Sequence, residues 1–229
     1  MSVITYSRSA DGSRQISPHF RVEEFACKDG SDAVLISQEL VQMLEKLRDK
    51  LGCSINVNSG YRTVSHNRAI GGSLTSKHCH GLAADVICKR EGKTVSAKEV
   101  CCAAQSLNFP GIAYITAGAT HLDVRDGKWW ADESRHDKKV TDFYQYFGME
   151  NPDKCPHRKP ASAVKMGSRG DGVKWVQWHL EKRGFSVGSS GIDGCCGPAT
   201  VSAIISFQKS AGLDPDGVCG PATRKALET

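Results

Sequence analysis

Eight residues recur almost unchanged near the carboxyl end: DGCCGPAT at 193–200 returns as DGVCGPAT at 216–223. In both copies Asp-Gly makes a turn. Gly-Pro then leads into a helix, with proline near the first helical position, where its missing N–H costs nothing. The first copy's helix carries Val201, Ile204, Ile205 and Phe207, and the second carries Ala226 and Leu227. Ahead of both, GDGVKWVQWHLEKRG holds Val173, Val176 and Leu180 at helical spacing. Three short helices joined by turn loops make a small all-α bundle at 165–229. At this size the expected role is binding or anchoring rather than catalysis.

Upstream, MENPDKCPHRKPASAVKMGSRG is rich in Pro, Lys, Arg, Ser and Gly and has no apolar period. Residues 151–164 therefore read as a linker, with a larger first domain at 1–150. In that domain Ser37-Gln38-Glu39 opens a helix on which Leu40, Met43, Leu44, Leu47 and Leu51 share one face, and Gly52 stops it. Cys53 to Asn58 alternates as a half-buried strand does. Ser96 and Glu99 have capping-box spacing at the head of a second helix through Leu107. Gly111–Thr116 and His121–Arg125 read as a hairpin around Ala117-Gly118-Ala119. Helices mixed with antiparallel strands predict an α+β domain.

Bulk properties exclude more than they assign. The net charge of +5 forms no dense basic stripe, so nucleic acid is not an expected partner, while an anionic polymer such as a cell wall is compatible. No apolar run is long enough to span a bilayer, and MSVITYSRSADGSRQ lacks the apolar segment of a signal peptide. Synthesis in the cytoplasm is expected, as a monomer. The ten cysteines include no C-x-x-C, which argues against zinc knuckles and dithiol redox chemistry; buried free thiols are expected.

The chemistry concentrates in SKHCHGLAADV, Ser76 to Val86, where His78 and Asp85 enter an otherwise apolar run. A catalytic zinc takes three protein ligands and keeps a fourth position open. The candidate third lies in THLDVR, whose period of two puts His121, Asp123 and Arg125 on one strand face and Leu122 and Val124 on the other. Three ionisable groups on one face need a shared partner, and a divalent cation would serve. Held there, it would acidify water to a pKa of about 7.

Several motifs, in order over residues 16–130, then resemble one family. They are ISPHFRVEEFACKDG, Ser59-Gly60-Tyr61-Arg62 with Asn67 and Gly71-Gly72, Ser76-x-His78-x-x-Gly81-x-Ala83-x-Asp85, and Tyr114 followed by His121-Leu122-Asp123-Val124-Arg125. Together they resemble the zinc D-Ala-D-Ala carboxypeptidase family, whose fold is shared with the hedgehog signalling domain. The repeat-bearing module resembles peptidoglycan-binding domains of the three-helix type, a pairing frequent in wall hydrolases, including phage endolysins.

The resemblance implies zinc held by His78, Asp85 and His121, with Arg62 stabilising an oxyanion. Ser76 either bonds substrate or orders its loop. Tyr61, Asn67 and His80 are substrate-side candidates, with His80 also a spare group for proton transfer. Many relatives carry an acid three residues before the last ligand, where this chain has Gly118. Asp123 is the nearest carboxylate by sequence; it either deprotonates water or orients an imidazole. The Trp129-Trp130 and Trp175/Trp178 pairs either stack on sugars or belong to core and rim. The implied function is a zinc peptidase of bacterial peptidoglycan peptides, endolysin-like, acting on the wall after release or export. A D,D-carboxypeptidase and a zinc-holding, non-catalytic wall binder are the alternatives.

Overall fold

A computed structural model describes residues 2–228. The chain divides into two compact units, one ending at Asn151 and the other beginning at Pro152. In the first, β1 (Val3–Ser7) pairs antiparallel with β2 (Ala33–Ser37), the short helix α1 (Arg8–Asp11) following β1. Ser37 ends β2 and caps α2 (Gln38–Leu51), its hydroxyl accepting from the Leu40 N–H at 3.3 Å. Leu40, Leu44, Leu47 and Leu51 are buried, and Gly52 leaves the helix at φ 55°, a conformation that suits glycine.

Around α2 the chain builds one large sheet. Its strands are β3 (Ser54–Ser59), β4 (Ala83–Arg90), β5 (Lys93–Thr94), β6 (Gly111–Thr116), β7 (Ala119–Asp123), β8 (Trp129–Asp132) and β9 (Lys138–Lys139). The order is β3-β4-β7-β6-β8-β9, with β5 beside β4; every pair is antiparallel except β6 with β8. Three helices complete the unit: α3 (Val64–Ala69), α4 (Ala97–Ser106) and α5 (Phe143–Phe147). Ala84, Val86, Ile112 and Leu122 turn one face of the sheet into the core shared with α2 and α4. Ser96 caps α4 as expected, but Glu99 does not complete a capping box; it pairs with Arg90 at 2.9 Å, a charged partner in place of a backbone amide.

The register decides what the other face carries. Asp85 pairs with His121, His121 with Ala113, and Ala113 with Ala131, so these four stand in one row across β4, β7, β6 and β8. Directly paired residues project to the same side. The neighbouring row runs Asp123, Gly111, Trp129. Gly111 is required there, since a Cβ would lie 2.1 Å from the Asp123 carboxyl carbon.

The second unit packs α6 (Asp171–Lys182), α7 (Pro198–Ser210) and α8 (Pro221–Ala226) through Val173, Val176, Leu180, Ile204, Phe207 and Leu227. Each repeat copy is clamped by a buried glutamine. Gln177 donates to Asp193 at 2.8 Å and Thr200 at 3.1 Å and accepts from Gly194 N–H at 2.8 Å. Gln208 repeats the pattern with Asp216 at 2.8 Å, Thr223 at 3.1 Å and Gly217 N–H at 3.0 Å. The stretch expected to be a linker, 151–164, does not run free. Val164 is buried and exchanges backbone hydrogen bonds with Cys219, while Arg224 donates to the Ser162 carbonyl at 2.6 Å. One anchored apolar side chain suffices to dock a segment whose composition is otherwise polar. All ten cysteines are free, most of them buried. No helix among the described residues is long and apolar enough to cross a membrane.

Candidate metal centre

Three local devices bring His78, Asp85 and His121 together. His78 sits on a single 3-10 turn, Lys77–His80, ended by Gly81 at φ 68°. A Cβ on Gly81 would lie 2.4 Å from the Leu35 carbonyl oxygen, so only glycine lets the chain turn there into β4 and Asp85. Asp85 and His121 then face each other through strand register. His78 is laced to the Ser59–Thr63 turn from both sides: its Nδ1 bonds the Gly60 carbonyl at 2.7 Å, and its own carbonyl accepts from Arg62 N–H at 3.1 Å.

The resulting triangle is nearly equilateral. His78 Nε2 lies 3.1 Å from His121 Nδ1 and 3.2 Å from Asp85 Oδ1, and His121 Nδ1 lies 3.0 Å from that same oxygen. Each vertex is steadied from behind. The Gly60 carbonyl takes the Nδ1 proton of His78, and Asp123 Oδ2, 3.0 Å from His121 Nε2, takes the proton there. The inward nitrogens are therefore the ones that carry lone pairs when the rings are neutral, and a cation bound there would displace the second proton of His121. Arg62 donates to the second oxygen of Asp85 at 2.5 Å and to Ser59 Oγ at 2.8 Å.

The charges follow this wiring. Burial disfavours the imidazolium of His121, but Asp123 and Asp85 outweigh it and lift its pKa to about 9. Burial pushes His78 down, against the pull of Asp85. Burial would raise the Asp85 carboxyl, but bonds from His121 and His78 hold it far below the usual range. Burial opposes ionisation of Asp123 too; His121 and Arg125 hold its pKa near 2.

Two imidazole nitrogens and one carboxylate oxygen are a donor set that suits zinc. Tetrahedral bonds of about 2.0–2.1 Å set ligand atoms about 3.3 Å apart, close to the spacing of this triangle. The residues fit the ion. The triangle lines a cleft of about 520 Å³, together with residues of the loop from Gly71 to Lys77 and with Trp129, Glu133 and Asp137.

The other expected site residues divide. Arg62 and Ser76 line the cleft. Asp123 does not; it is 0 % exposed behind His121, where Arg125 Nε also donates to it at 2.8 Å. Tyr61, Asn67 and His80 are not among the residues that line the cleft. Tyr61 packs against the core, and its N–H donates to the Phe25 carbonyl at 2.8 Å. His80 is exposed, on the 3-10 turn that buries His78. Asn67 is 4 % exposed and donates to the Ser73 carbonyl at 2.9 Å, so it shapes the loop that forms the wall. Trp130 is core, its indole N–H bonded to the Phe109 carbonyl at 2.9 Å, while Trp129 meets His121 edge-on with ring centroids 5.8 Å apart.

Sequence reading missed Glu133, whose signal was the period-two series Trp129, Ala131, Glu133. It missed Gly60 as well, because a backbone carbonyl leaves no side-chain signature. A second group, Cys27, Asp29 and His66, also brings ligand-capable atoms within 4.8 Å of one another. There Thr63 donates to Asp29 at 2.5 Å, which pins the turn carrying Arg62.

Comparisons with known proteins find similarity over parts of the chain. Residues 18–123 match the Peptidase M15 family model, and residues 169–227 match that of a peptidoglycan binding domain. The chain is 31% identical over 114 residues to the zinc D-Ala-D-Ala carboxypeptidase of Streptomyces albus G, covering 45% of this chain and 42% of that one. It is 47% identical over 64 residues to a probable N-acetylmuramoyl-L-alanine amidase of Bacillus licheniformis, covering 28% and 18%. Among solved structures, a Burkholderia AP3 phage endolysin aligns at 34% identity over 30% of this chain and 25% of that one, with a TM-score of 0.27. The chain spans less than half the length of the curated relatives it matches.

Proposed function

From a chain that joins a Peptidase M15 domain to a peptidoglycan binding domain, we propose a zinc peptidase that hydrolyses an amide bond in bacterial wall peptides, held on its polymer by residues 165–229. The observation that carries this reading is the convergence of His78 Nε2, Asp85 Oδ1 and His121 Nδ1 at the floor of a cleft. These three would hold the ion. When bound, zinc supplies Lewis acidity, which polarises a carbonyl and acidifies water.

The chain's own groups do the rest. Asp123 and the Gly60 carbonyl fix the imidazole tautomers and keep both lone pairs aimed inward. Arg62 holds Asp85 in orientation and, at the cleft wall, offers positive charge to an oxygen that becomes an anion during attack. Ser76 lines the cleft on the same loop, where a peptide would meet its hydroxyl. Trp129 covers one side of His121 and limits water there.

Bond choice lies in the cleft walls. Trp129 and Asp137 also line a second cavity of about 480 Å³ with Lys128 and Lys139, next to the cleft. A second cavity beside the cleft suits a peptide that extends past the bond being cut, and its lysines suit cationic attraction for wall carboxylates. That favours an endopeptidase of the endolysin kind. The similarity to a D-Ala-D-Ala carboxypeptidase favours the second reading, removal of a terminal D-Ala.

Mass spectrometry of muropeptides after digestion of purified wall distinguishes them. New internal amino termini are expected. Free D-Ala as the sole product would replace the endopeptidase with a carboxypeptidase, and no product from zinc-loaded protein would leave a wall binder. His78→Ala is expected to lose peptide release and keep wall pull-down.

A further inference from the structure

We propose that Glu133 is the general base of this site, supplied from the end of β8 in place of the acid that Gly118 cannot provide. The proposal rests on the peptidase reading above. Position follows from the sheet. Ala131 stands in the row of Asp85 and His121, and Trp129 in the row of Asp123. Glu133 comes two residues after Ala131, on the 3-10 turn Glu133–Arg135, and lines the same cleft as Arg62, His78, Asp85 and His121. Its mount is firm. Adjacent Asp132 is buried and accepts from Tyr146 Oη at 2.7 Å and Ser134 Oγ at 2.6 Å.

The other carboxylates near the triangle are committed. Asp85 is held by Arg62, and Asp123 is enclosed by His121 and Arg125. Asp137 lines the cleft but is exposed, in a left-handed turn at φ 55°. Glu133 is half-buried and makes no hydrogen bond or ion pair among the described residues. Burial raises its pKa; of the charges that face it, Asp85 and Asp137 add to the rise while His121 and Arg62 oppose it. A free carboxylate with raised proton affinity, facing substrate space, is what proton abstraction at neutral pH needs.

The step balances within the chain and its substrate. Glu133 takes a proton from water as the water oxygen bonds to the carbonyl carbon and the carbonyl π pair moves onto oxygen. As that pair returns, the C–N bond breaks. Glu133 gives its proton to the departing nitrogen, leaving a carboxylic acid and an amine.

The test uses the full chain loaded with zinc and purified wall as substrate. Glu133→Gln is expected to lower kcat by about 10²–10⁴-fold, with KM little changed and one zinc per chain retained. Glu133→Asp is expected to recover part of the rate. A Glu133→Gln protein that keeps kcat within threefold of wild type overturns the assignment. So does one that loses its zinc, because the role would then be structural. Wild type that binds zinc and wall yet releases no peptide would instead remove the peptidase reading itself.

Discussion

At the scale of single residues, the site depends on groups that touch no substrate. Asp123 has no solvent exposure, yet it sets which nitrogen of His121 faces the cleft. Asp123→Asn keeps the shape and removes the charge that holds the Nε2 proton. Metal affinity is expected to fall about 10–100-fold, read by competition with a chromogenic chelator, while the circular dichroism spectrum stays that of wild type. Undiminished affinity would leave His121 oriented by packing alone. His78, Asp85 and His121 were legible because their residue types and their spacing are unusual in apolar runs. Asn67 and His80 fall outside the cleft lining, because a polar residue in a motif carries no mark of which way it turns. Asn67 turns inward to shape the loop at Ser73.

At the scale of elements, the paired glutamine clamps explain why the repeat is preserved as a motif. The Asp, Gly and Thr of each copy are the partners of Gln177 or Gln208. Gln208→Ala strands the buried Gly217 N–H and removes the buried bond to Thr223, and is expected to destabilise the second unit by about 1–3 kcal/mol, measured by urea unfolding of the full chain. The clamps also imply a direction with pH. Asp193 is held below its ordinary 3.8 first by the Gln177 bond, and Asp216 first by the Val218 N–H and then by Gln208. A carboxyl with a depressed folded pKa contributes stability that is full above 3.8 and is lost as pH falls through the lower folded value. Unfolding midpoints of wild type are therefore expected to drop in that acid window more than those of Gln208→Ala. Helix limits, caps and the repeat were readable from periodicity and turn chemistry. The clamps were not, because Gln177 lies 16 residues and Gln208 8 residues before the Asp each one holds, and no local period links them.

At the scale of the whole molecule, each of the two units has its own core, and their proposed tasks respond to different treatments. Chelation is expected to abolish peptide release and spare wall pull-down, with zinc restoring the first. Loss of pull-down on chelation would mean that wall affinity resides in the metal-bearing unit. Anchoring acts by effective concentration, so it raises the rate on polymer without any new contact at the bond being cut.

The amino-acid order alone determined the two-part organisation, the α+β and all-α characters and the three candidate ligands. Those properties are local: they follow from periodicity, glycine and proline positions, and unusual polar residues within short windows. Only tertiary structure decided that the chain reads β4-β7-β6-β8 across the sheet, and so which side chains share the cleft. Strand neighbours are chosen by packing between distant segments, which no local window contains. The Gly60 carbonyl, buried Asp123 and Glu133 become parts of one site for that reason.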